Sequence, residues 1–159
     1  TLNGEDVKGL FYAFNLTYDL GMFKITGGYD HLSGNDPETS ESETFSTLYA
    51  TNHKYYGFMD YFPTGAGALG LNDIHVKLSG FEIAGVKLNA AYHIFTSEYE
   101  SGGDSDFGNE LDLTCVKKYN DNVSFVGGYS MFTKGGLDIG SNIGEDNSSW
   151  FYLMTIVNF

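Results

Sequence analysis

Ser148-Ser-Trp-Phe-Tyr-Leu-Met-Thr-Ile-Val-Asn-Phe159 ends the sequence. Phe151, Leu153, Val157 and Phe159 fall on one face at period two, with Thr155 as the single polar interruption. That alternation predicts a β-strand. The sequence stops on the aromatic, with no polar tail, whereas chain ends usually lie solvated. A last strand of a soluble sandwich is one reading. A strand that closes a membrane barrel is the stronger one, because its outer face meets lipid.

The same period recurs upstream. In 8–20, Leu10, Tyr12, Phe14, Leu16, Tyr18 and Leu20 share a face. Gly21 makes a tight reversal, and 22–32 alternates again, with Phe23, Ile25, Gly27 and Tyr29 against Lys24, Thr26, Gly28 and Asp30. Further strands are expected over 71–80, 86–97, 109–118, 123–132 and 148–159. Their polar faces carry Asp73, His75, Lys77, Lys87, His93, Glu110 and Asp112 in mid-strand. Their apolar faces are nearly unbroken, and Cys115 lies on one of them. The expected fold is all-β, an antiparallel up-and-down transmembrane barrel.

Composition agrees. The 159 residues include 21 Gly, 2 Pro and 16% aromatics, a balance that favours strands and tight turns. No apolar run approaches the roughly 20 residues of a membrane helix. One cysteine allows no internal disulfide and no cysteine metal cluster. The net charge is −13 and every basic residue is lysine, which excludes a nucleic-acid partner. No cofactor and no metal centre are expected. The acidic runs at Asp36–Glu43 and Asp104–Asp106 lack calcium-loop spacing and read as solvated loops. His31 and Ser33 lack a placed acid partner or oxyanion motif, so an enzyme is not expected.

Short connections at 21, 81–85 and 119–122 alternate with long ones at 33–70, 98–108 and 133–147, the asymmetry of an outer-membrane barrel. With the last strand running inward, Tyr18, Phe23, Phe125 and Phe159 fall near the periplasmic rim. Tyr12, Tyr29, Tyr129 and Phe151 fall near the outer rim, giving two aromatic girdles. Seven strands then start and end running inward. Single-chain barrels have an even strand number, so the expectation is the C-terminal portion of a larger barrel. The alternative makes 54–62 an eighth strand and closes a small barrel with a structural or adhesion role through acidic loops.

A terminal strand ending in Phe159 resembles the signal read by the outer-membrane assembly machinery. Leu48-Tyr-Ala-Thr-Asn-His-Lys-Tyr-Tyr-Gly-Phe-Met-Asp-Tyr-Phe62 resembles the signature of the alginate-export family of outer-membrane porins. Gly28-Tyr-Asp-His-Leu-Ser-Gly34, Tyr92-His93-Ile-Phe95, Glu110-Leu-Asp-Leu113 and Gly128-Tyr-Ser-Met-Phe132 are similar to that family too. The resemblance implies a monomeric barrel of about 18 strands. It also implies passive diffusion of small or saccharide solutes across a Gram-negative outer membrane, with lipid and lipopolysaccharide around the wall. On that reading Lys24, Asp30, Asp73, His75, Lys77, Lys87, His93, Glu110 and Asp112 line the pore. Asn52, His53, Lys54 and Asp60 belong to a loop that constricts it.

Overall fold

The computed structural model describes residues 7–47, 54–137 and 147–159. Seven antiparallel strands form one open sheet in sequence order: β1 (Phe11–Asp19), β2 (Lys24–Leu32), β3 (Leu71–Ile83), β4 (Val86–Ser101), β5 (Asp104–Lys118), β6 (Val123–Lys134) and β7 (Ser148–Val157). Every neighbouring pair is antiparallel, so β1 and β7, at the two edges, run in the same direction.

Four strands outrun the sequence reading. β3 continues to Ile83, β4 to Ser101 and β6 to Lys134, and β5 begins at Asp104. The expected loop at 98–108 is therefore mostly strand around a tight Gly102-Gly103 turn. Both glycines hold a left-handed backbone, φ 66 and 84, which a two-residue hairpin turn needs. Ser and Asp at 101–106 read as loop because local propensity ignores what a strand pairs with. The segment 54–62, the alternative eighth strand, forms no strand. A single 3-10 turn spans Gly67–Leu69.

The two faces are inverted relative to a water-soluble sheet. Apolar side chains point outward into open space: Leu16 is 69% exposed, Phe151 64% and Leu153 77%. On the polar face Asp73, Glu110 and Asp112 are at most 2% exposed, because the connection between β2 and β3 folds back over them. Phe62 from that connection sits with its ring 4.7 Å from Phe95 and 5.2 Å from Phe107. Leu32, Tyr56, Leu71, Phe132 and Leu137 complete this core. The only apolar core among the described residues thus lies on the polar face, between sheet and loop.

The aromatics expected in the two girdles differ in exposure. Tyr12, Tyr18, Phe125, Tyr129 and Phe151 are exposed on the apolar face. Tyr29 is half-buried, its hydroxyl donating to Asn72 Oδ1 at 2.6 Å. His31 is drawn in with it, stacked on Tyr12 at 4.6 Å and bonded through Nδ1 to the same Asn72 oxygen at 2.8 Å.

Candidate functional site

Strand register builds the site. Asp30 of β2 lies opposite Asp73 of β3, and Gly28 opposite His75. His75 lies opposite His93 of β4, His93 opposite Glu110 of β5, and Asp112 opposite Ser130 of β6. Period two does the rest, because residues two apart share a face. Six of the nine residues expected along the pore therefore meet as one buried band across four strands, β2 to β5. Asp30 is 8% exposed, Asp73 1%, His75 3%, His93 2%, Glu110 0% and Asp112 2%.

At the centre, His93 Nδ1 lies 2.9 Å from both oxygens of Asp73. His75 Nδ1 lies 3.4 Å from Asp73 Oδ2, and the two imidazoles are 5.4 Å apart between centroids. Far from Asp73, His75 Nε2 is 2.9 Å from Asn15 Oδ1 of β1. That bond passes over Gly28, where a Cβ would collide with both partners. A glycine inside a strand marks such a close approach.

Glu110 is the loop anchor. Its Oε1 accepts from the backbone N–H of Phe58 at 2.6 Å and of Met59 at 2.8 Å. Gly57 makes room, since a Cβ there would lie 2.5 Å from Glu110 Oε2, and its φ of +83 favours glycine. Tyr56 and Asp60 also hold left-handed backbone, φ 59 and 56. A loop carrying three such residues over five positions is held in shape by its contacts. Asp112 accepts from the Ser130 hydroxyl at 2.6 Å. Burial, with Asp30 and Asp73 nearby, pushes the Tyr56 hydroxyl up to about 12, so the phenol stays neutral.

Two cavities flank the anchored loop. One of about 340 Å³ is lined by Lys54, Lys77, Asn89, His93, Asp112 and Thr114 among others. The second, about 520 Å³, is lined by Asn15, Asp30, Tyr55, Tyr56, His75 and Lys77 among others. Lys54 and Lys77 border both, and the Lys54 ammonium sits 5.0 Å from the Tyr55 ring centre.

The remaining expected residues lie apart. Lys24 is exposed and paired with Asp19 at 3.3 Å beside the first turn. Lys87 is exposed next to the β3–β4 turn, opposite Glu82. Asp60 lines neither cavity, and Asn52 and His53 lie outside the described residues. Ser33 donates to the Glu43 carbonyl and accepts from the Leu10 N–H at 2.7 Å, so it pins the loop and makes no pair with His31. Sequence reasoning missed Asn15, Gly57 and the Phe58–Met59 amides. Gly28 was visible as a strand glycine, but without a register its neighbours were not.

No metal centre was expected, yet the structure gathers a candidate. Ligand atoms of Asp73, His75 and His93 all lie within 4.8 Å of one another. Comparison with protein-family models, curated proteins and solved structures finds no match to this chain.

Proposed function

We propose that this sheet is a sector of a transmembrane barrel and that its loop-covered polar face lines a diffusion channel for small or saccharide solutes. One observation carries the reading, the inversion of the two faces. A sheet with Leu16, Leu153 and Phe151 open on one side and four carboxylates buried under a loop on the other suits lipid outside and a lumen inside. In water the open face would be an aggregation surface. No helix of the described residues is long and apolar enough to cross a membrane, and a barrel needs none.

Edge polarity supports a larger barrel. β1 and β7 run in the same direction, so they cannot complete an antiparallel wall with each other. Unpaired edge groups are costly in lipid, which favours additional strands between them. The outer membrane of a Gram-negative cell is the setting, as the resemblance to alginate-export porins also implies.

The loop anchored on Glu110 is the constriction, and the two cavities are the solute passages beside it. Their linings mix Lys54 and Lys77 with Asp30 and Asp112 and with the half-exposed Tyr55 ring. That mixture suits polar, weakly charged solutes. The chain has no arginine, so it lacks the bidentate fork best suited to a polyuronate.

The test is conductance of the full-length protein in planar bilayers. Discrete ohmic steps are expected, reduced by added oligosaccharide. A protein that inserts and passes no ions would overturn the channel. It would favour a closed barrel acting through its loops.

A further inference from the structure

Asp73, His75 and His93 form a triad of ligand types that bind transition metals, two imidazoles and a carboxylate. All three are buried and stand on two adjacent, paired strands. A tetrahedral zinc ion with bonds of about 2.0–2.2 Å places its ligand atoms about 3.3–3.5 Å apart. His75 Nδ1 to Asp73 Oδ2 is 3.4 Å, inside that range, and His93 Nδ1 to the same oxygen is 2.9 Å, a hydrogen bond that an ion would replace and lengthen.

The orientation of His75 points further. His75 Nε2 faces the Asn15 carboxamide oxygen at 2.9 Å, which fixes the ring from outside. Nδ1 of the same ring points to Asp73. It is buried, has no hydrogen-bond partner among the described residues, and faces a carboxylate oxygen. The 3.4 Å between that nitrogen and the Asp73 oxygen is the spacing of two ligands on one ion. An imidazole whose outer nitrogen donates to a fixed oxygen is also how metal-bound histidines are oriented. Gly28 keeps the space for that bond clear.

The surroundings supply further oxygen donors. Asp30, Asp73, Glu110 and Asp112 are buried, and among the described residues no lysine is. Asp30 Oδ1 is likewise buried without a partner. The ion has a way in, since one cavity reaches His93 and the other reaches His75.

We propose that Asp73, His75 and His93 bind a divalent transition-metal ion, zinc being the natural occupant, beneath the loop on the polar face. The site stands whether or not the barrel conducts. The ion would tie β3 to β4 at mid-strand and offset the buried carboxylates.

The experiment is calorimetric titration of zinc into the full-length protein in detergent micelles after removal of metals by a chelator. Cobalt, titrated in parallel, gives the visible absorption of a tetrahedral nitrogen and oxygen site. One tight site per chain is expected, unaffected by excess calcium. His75→Ala and His93→Ala are each expected to weaken it by at least about 100-fold, and Asn15→Ala by about 10- to 100-fold. His31→Ala, outside the triad, is expected to leave it unchanged. A wild-type protein showing no saturable zinc site would overturn the proposal without reference to any variant. So would zinc binding that survives both histidine substitutions in protein whose circular dichroism shows the sheet intact.

Discussion

Replacing Glu110 with alanine is expected to release the loop while leaving the sheet standing. Glu110 Oε1 takes two backbone N–H groups, at 2.6 and 2.8 Å, and no other described side chain is bonded at both positions. A hydrogen bond to an uncharged group contributes about 0.5–1.5 kcal/mol. Losing two removes about 1–3 kcal/mol; the Met59 amide loses its acceptor, and the Phe58 amide keeps only the longer contact to Asp112 Oδ2 at 3.3 Å. Since about 1.4 kcal/mol is tenfold in an equilibrium constant, their exchange with solvent deuterium should speed up by about 5- to 100-fold, more at Met59 than at Phe58. Glu110→Gln keeps a carbonyl oxygen near the same place, with an amide in place of the second oxygen. It should fall between the other two. Amides of β4 and β5 serve as the internal reference and should change little. Unchanged protection at Phe58 and Met59 in Glu110→Ala would refute the anchor. Equal acceleration throughout the sheet would refute a local role.

Gly57→Ala should loosen the same loop, through about 1–2 kcal/mol of left-handed backbone plus the clash with Glu110. Gly102→Ala, with φ 66 and nothing within 4 Å, should cost only the backbone part; limited proteolysis of 54–62 distinguishes them. Phe62→Ala should destabilise the docked loop by about 3–5 kcal/mol, read as a lower midpoint for loss of near-ultraviolet aromatic dichroism. Leu153→Arg should cost about 2–4 kcal/mol of folding stability in lipid vesicles if the apolar face meets the bilayer core. An unchanged denaturant midpoint would argue against lipid there. Lys77→Glu should shift reversal potential towards cations more than Lys87→Glu does, because only Lys77 borders the cavities; equal shifts would show that the passages run elsewhere.

The strands were legible because alternation is local. Leu10 to Leu20 and Phe23 to Tyr29 declare a hairpin without outside information, and the register around Gly21 follows from the turn. The split into polar and apolar faces was legible for the same reason. What brings His93 to Asp73 was not. The β3–β4 ladder shifts register between Leu78 and Phe81, and a slip of one residue turns a side chain to the other face. The ends of β4 and β5 were hidden because 98–106 is polar and glycine-containing, and only pairing makes it strand. The loop was visible as aromatic-dense and irregular. Its partner Glu110 was visible only as a mid-strand carboxylate, since nothing in one sequence connects Phe58 to a residue 52 positions away.

That separation orders events during folding. Neighbouring strands zip through short turns, at small entropic cost. The loop's closure onto Glu110 spans 51 and 52 residues and becomes favourable only once β5 has joined the sheet. The growing sheet therefore passes through a stage in which its band of carboxyl groups is wetted and uncovered. The loop docks last, so on the proposed channel reading the passage would be wide before it is narrow.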